Sequence, residues 1–451
     1  MRKILAADTL TPILAYMRIQ GSHKVILESI PRDKENARFS IVAYNPVFEI
    51  KFENGLLTNN GEPIQQDPLD YLQTLTQKKV TSDLFFAGGA IGFVAYDLIG
   101  LYEDIGQIPL DPIGTPDLHF FIYESFVIFD HKKERVYVVE ENLYSQRSND
   151  AVRQALGQVV TDLQTQAPNE FTPQDLQALQ FKHHLEKESF EQMVTKAKEL
   201  IRQGDMFQCV LSQRFSSDFK GDPLDYYRNL RVTNPSNYLY FYDFGDYQII
   251  GASPESLVSV KQGQVVTNPI AGTRPRGKTE AEDAALAQDL LADAKEVAEH
   301  RMLVDLGRND IGRIAQIGSV QVSKYMEVEY FRYVMHLTSL VEGRLLPHLT
   351  ALDALKATLP AGTVSGAPKI RAMQRIYQLE KEKRGIYAGA IGYLSASGDM
   401  DFAIAIRTMI IKDAKAYVQA GAGIVYDSIP ENEYFETLNK AKAMTRIGDS
   451  R

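Results

Sequence analysis

The stretch from Ala388 to Val425 is AGAIGYLSASGDMDFAIAIRTMIIKDAKAYVQAGAGIV. Two short polar turns, SGD and KDAK, interrupt its apolar runs, which predicts three strands: AGAIGYLSA, DFAIAIRTMII and AYVQAGAGIV. Turns this short join antiparallel strands. FFIYESFVIFD (Phe120–Asp130), followed after a short turn by KKERVYVVEE, predicts a further hairpin. These patterns alone predict a large, mixed protein with antiparallel sheets.

Three segments in the second half are predicted to be helical. Thr279–Glu282, TEAE, has the form of a capping box and precedes a helix expected to run to about Arg308. Ser365–Pro368 precedes a second helix, expected to end in the cationic run KEKR. The last helix is expected from near Pro430 to about Ile447.

Composition narrows the classes of protein. The 451-residue chain has a net charge of −9 and no basic stripe, so nucleic-acid binding is not expected. Its single cysteine, Cys209, excludes an intrachain disulfide and favours a reducing cytoplasm. We read no signal peptide in MRKILAADTLTP and no uncharged apolar run long enough to span a bilayer. We therefore predict a cytoplasmic protein that does not bind membranes.

The chain is expected to divide into two parts joined by a linker. Residues 1–141 consist mainly of strand patterns, and residues 142–182 form a polar, helix-prone connecting segment. Residues 183–451 mix strands with helices and carry most of the candidate chemistry. No repeat with a fixed period is visible.

Two acidic motifs are candidates for a metal site, and the first is on the helix after TEAE. Glu296 and Glu299 lie three residues apart and therefore share a helix face. A solvated helix with an ion pair between Lys295 and Glu299 would explain the same spacing.

The second motif is on the last helix, where Glu433, Glu436 and Lys440 share a face. A surface ion pair between Glu436 and Lys440 is the alternative. Together the two motifs can supply oxygen ligands to one hard cation, because Mg²⁺ accepts one or two carboxylates and takes other ligands from water and substrate. They predict a Mg²⁺ site between two helices that holds a substrate carboxylate.

Several other positions are candidates for anion binding. Arg407 lies in DFAIAIRTMII, where both strand faces are apolar, so we expect a buried guanidinium held by an anionic ligand or by a structural carboxylate. Gly421-Ala422-Gly423 would let backbone amides approach a carboxylate, although most such glycine pairs are turns or bulges. The two arginines of PIAGTRPRG (Pro269–Gly277) place positive charge on a rigid loop that suits a small anion.

Two titratable residues are candidates for acid–base chemistry. Glu255 in GASPESLV is expected at a strand end, where a solvated glutamate is the alternative; a general acid would need burial to raise its pKa. His336 in YVMHLTS is a lone histidine, for which a structural role is the alternative.

In this order, the motifs resemble those of the chorismate-binding enzymes. The resemblance spans about Phe190 to Ile447 and rests on GASPE, PIAGTRPRG, AEHRMLVDLGRND, VMHLTS, PAGTVSGAPKIRAM, DFAIAIRT, QAGAGIVYDS and ENEYFETLNKA. It implies an α+β fold with a large antiparallel β-sandwich-like core flanked by helices, and an active site between the layers.

The resemblance also implies ligand-binding roles. Mg²⁺ would lie between Glu299 and Glu436, with Glu296 and Glu433 nearby through water, and would take the ring carboxylate of chorismate. The implied substrate-binding residues are Gly272, Thr273, Tyr387, Arg407, Gly421, Ala422, Gly423 and Lys440.

Two positions separate related activities. Relatives that add water to chorismate have a lysine base where this chain has Gln208; an amide cannot deprotonate water, so ammonia is the expected nucleophile. Relatives that make 4-amino-4-deoxychorismate carry a nucleophilic lysine where this chain has Ala271. The implied activity is therefore that of an anthranilate synthase large subunit. Glu255 would protonate the departing C4 hydroxyl, and His336 and Thr363 match positions tied to the later release of pyruvate.

The resemblance further implies a partner and a regulator. Cys209 lies in a strand-like stretch and not in a nucleophile elbow, so ammonia from glutamine requires a separate amidotransferase small subunit. Residues 1–141 would contribute to a regulatory site for L-tryptophan, and the matching residues are Glu28, Ser29, Asn234, Pro235, Ser236 and Tyr238. The alternatives are a 4-amino-4-deoxychorismate synthase component and a non-catalytic tryptophan-sensing subunit.

Overall fold

The computed structural model describes residues 1–29, 39–78, 80–165, 178–331 and 334–447. Within these ranges the chain forms two antiparallel sheets of twelve strands each and ten α-helices. None of the helices described is long and apolar enough to cross a membrane.

The strands before residue 142 are β1 (Arg2–Ala6), β2 (Val25–Glu28), β3 (Phe39–Ala43), β4 (Phe48–Glu53), β5 (Leu56–Asn59), β6 (Glu62–Ile64), β7 (Gly89–Val94), β8 (Leu118–Tyr123), β9 (Ser125–Asp130) and β10 (Arg135–Glu140). Those that follow are β11 (Lys182–His183), β12 (Gln208–Asp218), β13 (Tyr238–Asp243), β14 (Tyr247–Ser253), β15 (Ser256–Lys261), β16 (Gln264–Thr267), β17 (Ile270–Pro275), β18 (Gln321–Tyr330), β19 (Val334–Arg344), β20 (Gly366–Ala367), β21 (Ala390–Ser395), β22 (Met400–Ile404), β23 (Thr408–Lys412) and β24 (Lys415–Ile424).

The helices are α1 (Pro12–Arg18), α2 (Pro68–Thr76), α3 (Asn149–Gln164), α4 (Lys187–Arg202), α5 (Pro223–Thr233), α6 (Glu280–Ala292), α7 (Ala294–Gly312), α8 (Ala351–Thr358), α9 (Lys369–Glu380) and α10 (Pro430–Thr445). Two short 3-10 helices cover Tyr96–Leu101 and Gly362–Val364.

Both sheets take strands from either side of the predicted connecting segment. The first sheet has the order β1-β10-β9-β3-β2-β13-β14-β23-β24-β12-β11, with β20 beside β12. The second has the order β17-β19-β16-β15-β22-β21-β7-β8-β4-β5-β6, with β18 beside β19. Residues 166–177 of the connecting segment lie outside the described residues. The boundaries at 141 and 182 stay a prediction.

An apolar layer fills the space between the two sheets. It combines residues of the second sheet such as Phe93 and Phe121 with residues of the first such as Tyr242 and Ile249. Burial of each large apolar side chain stabilises the fold by roughly 1.5–3 kcal/mol. Helices α1, α3, α5 and α10 cover the outer face of the first sheet, and α2, α7 and α8 cover that of the second. The predicted α+β class with a sandwich-like core and flanking helices is confirmed.

Two predicted strands are each divided between the sheets. DFAIAIRTMII was expected to be one strand, but β22 ends at Ile404 in the second sheet and β23 begins at Thr408 in the first. FFIYESFVIFD divides in the same way around Glu124, between β8 and β9. The reason is common to both: residues on both faces are apolar, so each half can bury itself in a different sheet. The hairpins β9–β10, β21–β22 and β23–β24 form as predicted.

The long helix predicted after TEAE is in fact two helices. Asp293 separates α6 from α7 because its Oδ1 accepts hydrogen bonds from the amides of Lys295, at 3.0 Å, and Glu296, at 3.2 Å. The capping box is incomplete, since the Glu282 carboxylate accepts from the Lys278 amide instead of from Thr279.

The two later helices differ less from the prediction. Helix α9 ends at Glu380 because Lys381 adopts a left-handed conformation with φ 61°, so the whole run KEKR (381–384) lies beyond the last helical residue. Helix α10 begins at Pro430, as expected, and ends at Thr445.

Candidate active site

Two crossovers between the sheets lie side by side. Strand β14 of the first sheet leads to β15 of the second through a turn that contains Glu255, and β22 of the second leads to β23 of the first through Ala405–Arg407. The Ile404 amide donates to the Glu255 carbonyl at 3.0 Å, and the Ala252 amide donates to the Arg407 carbonyl at 3.0 Å. The fold therefore brings Glu255 and Arg407 to one point between the layers.

The surroundings of Glu255 suit a proton donor. The residue is half-buried, and burial raises the pKa of its carboxyl to about 7 against the opposing effects of the Thr363 hydroxyl and of the charges on Lys440 and Arg407. At neutral pH a large share of this carboxyl is therefore protonated and can release a proton to a leaving group.

Arg407 is exposed to solvent, so the expectation of a fully buried guanidinium was wrong, but the residue lies in a cleft where partial loss of solvent lowers the pKa of the guanidinium. Its backbone is left-handed, with φ 48°, which breaks the strand alternation on which that expectation rested. The guanidinium lies near enough to Glu255 and His336 for its charge to lower the pKa of both. An exposed cation beside an acid and an imidazole can bind an anionic substrate group.

His336, on β19, lies against the loop that contains Gly272 and Thr273. Its Nδ1 is 2.7 Å from the Gly272 carbonyl oxygen and 3.1 Å from the Thr273 hydroxyl. A carbonyl only accepts, so Nδ1 carries the proton in the neutral ring and Nε2 has the free lone pair. Burial lowers the pKa of His336, which favours that neutral form. The ring is thus prepared to accept a proton at Nε2.

Gly272 lets this loop approach α7. Its φ is 66°, and a Cβ there would lie 2.9 Å from Leu290 Cδ1 and 3.3 Å from Glu296 Oε2. A side chain at this position would be strained and would push the loop away from the acidic residues of α7.

The two arginines of PIAGTRPRG bind protein carboxylates and do not form the predicted anion site. Arg274 Nε is 2.7 Å from Asp289 Oδ2, and its Nη2 is 2.8 Å from Asp293 Oδ2. Arg276 Nη2 is 2.5 Å from Asp283 Oδ2. Sequence reasoning missed these partners, whose role is to fix the loop to α6 and α7.

Gln208 connects the start of β12 with the first acidic motif. Its Nε2 donates to Glu299 Oε1 at 3.3 Å, whereas its Oε1 is buried without a hydrogen-bond partner among the described residues. Burial and the charge of Glu299 raise the pKa of Glu296. The positive charge of Lys295 on α7 partly opposes the rise in the pKa of Glu433 on α10. Charged side chains of α7 and α10 therefore interact with each other.

The second acidic motif borders β24. Lys440 Nζ is 2.7 Å from Glu436 Oε1 and donates to the Gly421 carbonyl at 3.1 Å. The alternative ion pair is therefore present, but the same lysine also ties the helix face to the glycine-rich strand. Glu433 is buried, and burial together with the charge of Glu436 raises the pKa of its carboxyl.

The residues present fit a Mg²⁺ ion only if substrate and water complete its shell. Among the described residues no group of three or more His, Cys, Asp or Glu side chains is arranged to hold a metal. In each acidic motif one carboxyl has a pKa that is raised in part by repulsion from the other: Glu296 by Glu299, and Glu433 by Glu436. A bound cation would reduce this repulsion between like charges. The donors are oxygen atoms, including the unpartnered Gln208 Oε1, and suit a hard cation.

Strands β12 and β24 are neighbours and connect the two motifs. A Cβ at Gly423 would lie 2.7 Å from Gln208 Nε2, and a Cβ at Gly421 would lie 2.9 Å from the Tyr387 hydroxyl. Ala422, between them, is buried. Burial raises the pKa of Tyr387 to about 12, so its hydroxyl stays protonated and can donate to an anion. The glycines therefore make room for the side chains that face the cleft.

A Gly421→Ala substitution is expected to raise the KM for the substrate on the order of 10- to 100-fold, because the new methyl group would lie 2.9 Å from both the Tyr387 hydroxyl and the Leu211 carbonyl oxygen and would shift the hydroxyl that is assigned to an anionic substrate group. Steady-state kinetics measure the effect. Gly157→Ala is the matched control, since a Cβ at Gly157 in α3 meets nothing within 4 Å. Unchanged kinetics in the Gly421 variant would contradict the assignment.

The residues assigned to the regulatory site also come together, at the pairing of β2 with β13. Glu28 is buried at the end of β2 and accepts hydrogen bonds from Tyr227 Oη at 2.7 Å and Arg231 Nε at 2.8 Å. Tyr238, at the start of β13, donates to Asp401 Oδ1 at 3.0 Å. Sequence reasoning missed the two partners of Glu28, both of which lie on α5.

The other assigned regulatory residues lie between α5 and β13 or just after β2. Asn234 ends α5 and donates to the Ala443 carbonyl at 3.1 Å. Ser236 has a buried hydroxyl without a hydrogen-bond partner among the residues described. Pro235 lies between these two, and Ser29 directly follows β2.

Known proteins resemble this chain over nearly its whole length. Residues 23–446 match the family model described as chorismate binding enzyme. Anthranilate synthase component 1 of Lactococcus lactis subsp. lactis is 56% identical over 99% of this chain and 100% of its own length. The crystal structure of anthranilate synthase component I from Streptococcus pneumoniae TIGR4 has a TM-score of 0.88 and 70% identity, and covers 98% of this chain and 99% of that one.

A more distant structure shares the fold. The menaquinone-specific isochorismate synthase of Escherichia coli has a TM-score of 0.75 at 19% identity, over 100% of this chain and 95% of that one.

Proposed function

Since the chain belongs to the chorismate-binding enzyme family, and within it to the anthranilate synthase component 1 proteins, we propose that it converts chorismate and ammonia to anthranilate and pyruvate. The observation that best supports this is the grouping of one acid, one cation and one base. Glu255, with a pKa of about 7, Arg407 and His336 interact electrostatically at the crossovers between the sheets.

Glu299 and Glu436 would hold Mg²⁺, with Glu296 and Glu433 acting through water. When bound, the ion neutralises the ring carboxylate of chorismate and withdraws electron density from the ring. The enolpyruvyl carboxylate would be bound by Arg407, the Tyr387 hydroxyl and the Gly423 amide. Gly272 and Thr273 would line the ring, and Lys440 would add positive charge beside Gly421.

In the first stage, ammonia forms a bond to C2 while the ring double bonds shift and the C4–O bond breaks. Glu255 donates its proton to the departing hydroxyl, which leaves as water. Gln208 has no basic nitrogen with which to activate water, so ammonia, which has its own lone pair, is the nucleophile. The methyl side chain of Ala271 has no nucleophilic atom, so it cannot take the role of the lysine that relatives use to make 4-amino-4-deoxychorismate.

In the second stage the proton at C2 moves to His336 Nε2. The C3–O bond breaks, pyruvate leaves as its enolate and takes a proton from water, and the ring becomes aromatic, which supplies driving force. Thr363 lies beside Glu255, where it can orient that carboxyl or the leaving group.

Product analysis tests the function directly. Incubation of the chain with chorismate, Mg²⁺ and an ammonium salt is expected to give anthranilate and an equal amount of pyruvate. Formation of 4-amino-4-deoxychorismate would overturn the proposal in favour of that synthase. No turnover at all would favour a tryptophan-sensing subunit. With glutamine as nitrogen source, we expect turnover only after addition of an amidotransferase subunit.

A His336→Asn variant is expected to consume chorismate but to form anthranilate on the order of 10²- to 10⁴-fold more slowly, because asparagine cannot accept the C2 proton. Chromatography should detect the aminated intermediate. The control is His348→Asn, at an exposed position. Equal loss of both stages would contradict the assigned role.

We also propose inhibition by L-tryptophan at the β2–β13 site. The Ser236 hydroxyl has no hydrogen-bond partner within the described ranges and is available to a ligand there, so Ser236→Ala is expected to raise the half-inhibitory concentration of tryptophan about 3- to 10-fold, the effect of one lost hydrogen bond. The rate without tryptophan should not change. An unaltered inhibition curve would remove Ser236 from the site.

A further inference from the structure

Arg384 is a buried charged residue that has no role in the mechanism above. It is 1% exposed and lies in the link between α9 and β21. Glu380 holds its charge through two parallel contacts, from Nε to Oε2 at 2.9 Å and from Nη2 to Oε1 at 2.6 Å. This fork geometry fixes the orientation of the whole guanidinium plane.

The guanidinium directs further N–H groups at the backbone of the active site. Nη1 donates to the Val364 carbonyl at 2.6 Å, directly after Thr363 in the chain. Nη2 donates to the Val210 carbonyl at 2.7 Å, two residues after Gln208. The central carbon also lies 5.6 Å from the centre of the Tyr387 ring. One planar group thus contacts three separate segments, each of which carries a site residue.

Glu380 strengthens the hold on β12. Its Oε1 also accepts hydrogen bonds from the amide of Ser212, at 2.7 Å, and from the Ser212 hydroxyl, at 2.9 Å. Since Ser212 is on the same strand as Gln208, the ion pair fixes this strand at two points.

We propose that Arg384 is a positioning residue that sets the relative placement of Thr363, Gln208 and Tyr387. The inference rests on the proposed function, because those residues serve its two stages. Displacement of a reacting group by about 1 Å can cost on the order of 100-fold in rate. A lysine retains the charge but has no planar fork with which to contact Glu380 and both carbonyls at once.

Arg214 provides a matched control. It is 3% exposed, and it fixes the same link to β12 through Glu382 Oε2 at 3.0 Å and the Lys383 carbonyl at 2.8 Å. The third hydrogen-bond partner of its side chain is Gln419 Oε1 at 3.2 Å, and within the described part of the chain its hydrogen bonds reach none of the three site residues. A purely structural role for Arg384 predicts that the two arginines respond alike to substitution.

The experiment compares Arg384→Lys with Arg214→Lys and the unmodified chain. The measurements are kcat, the KM for chorismate and the yield of anthranilate per chorismate consumed. The yield and the KM do not depend on how much of a preparation is folded. We expect Arg384→Lys to lower kcat on the order of 100-fold and to change the KM and the yield, while Arg214→Lys leaves the KM and the yield unaltered. A normal KM and yield in Arg384→Lys would overturn the proposal.

A second variant covers the case in which Arg384→Lys does not fold. Glu380→Gln keeps an acceptor for Ser212 but loses the charged fork, so the same change in KM and yield is expected; normal values would overturn the proposal. The unmodified chain separates the two hypotheses. If it forms no anthranilate, the proposed function fails; if it does and the variants have its KM and yield, only the role of Arg384 fails.

Discussion

A Glu255→Gln variant is expected to lose on the order of 10²- to 10⁴-fold in kcat, because the amide cannot protonate the departing C4 hydroxyl. The pH dependence follows from the raised pKa of this carboxyl, about 7. The active form is the protonated acid, so kcat/KM of the unmodified chain, which reports the pKa values of the free enzyme, should fall as pH rises above about 7, by tenfold per unit well above that value. The rate should also fall at low pH, because His336 can accept the C2 proton only when its ring is neutral. The two losses together give a bell-shaped profile.

The control for this prediction is Glu280→Gln, at an exposed position at the start of α6, which should retain the full rate and profile. The residual rate of Glu255→Gln should not show the decline above pH 7, since the group that causes it is gone. A Glu255→Gln variant with near-normal kcat, or one that keeps this decline, would show that another group is the acid.

A Glu299→Gln variant is expected to lose more than about 100-fold in activity at ordinary Mg²⁺ concentrations. Residues that only contact metal ligands already cost about 10- to 100-fold when changed, and Glu299 is assigned as a direct ligand. Removal of divalent ions from the unmodified chain with a chelator should abolish turnover, and added Mg²⁺ should restore it. Excess Mg²⁺ should recover part of the rate of the variant.

Binding can be tested without turnover. If Mg²⁺ and chorismate bind the folded chain together, they should raise its unfolding temperature, and the rise should grow with the logarithm of the ligand concentration once that concentration exceeds the dissociation constant. Glu299→Gln should weaken this shift. Glu431→Gln, on the exposed start of α10 where its partner is Lys187, should leave it unchanged. A normal shift and rate in Glu299→Gln would exclude this carboxylate from the metal site.

Hairpins could be predicted from sequence because turn residues and strand patterns are local signals. The crossovers could not, because a run that is apolar on both faces gives no sign of which sheet will bury it. A signal was nevertheless present: Glu124 and Arg407 are the charged residues in the interior of their runs, whose other charged residues, Asp130 and Asp401, stand at one end, and each interior charge falls where the chain changes sheet. In both runs this interior charge marks the break, although the two side chains differ: Glu124 is buried and pairs with Arg147 Nη2 at 3.1 Å, whereas Arg407 is exposed.

Helix spacing identified the four glutamates, and the resemblance supplied their roles. What spacing could not give were contacts between distant segments. The sequence predicts an anion site at Arg274 because it does not show the two carboxylate partners, Asp289 on α6 and Asp293 just before α7, whose positions depend on helix packing and not on local sequence. The KEKR run was interpreted as a helix end, although Arg384 within it is buried among backbone carbonyls from two other segments.

The paired crossovers have a mechanical consequence. Glu255 and Arg407 stand on two adjacent links between the layers, so a small shear of one sheet over the other would change their separation and orientation. Catalytic geometry tolerates errors of only about 0.5 Å. Tyr238 on β13 pairs with Ser253, the last residue of β14, and β14 leads into the link that contains Glu255. A displacement of β13 or β14 would therefore be transmitted through closely packed residues to Glu255. A distortion that begins outside the cleft would then change the reaction rate.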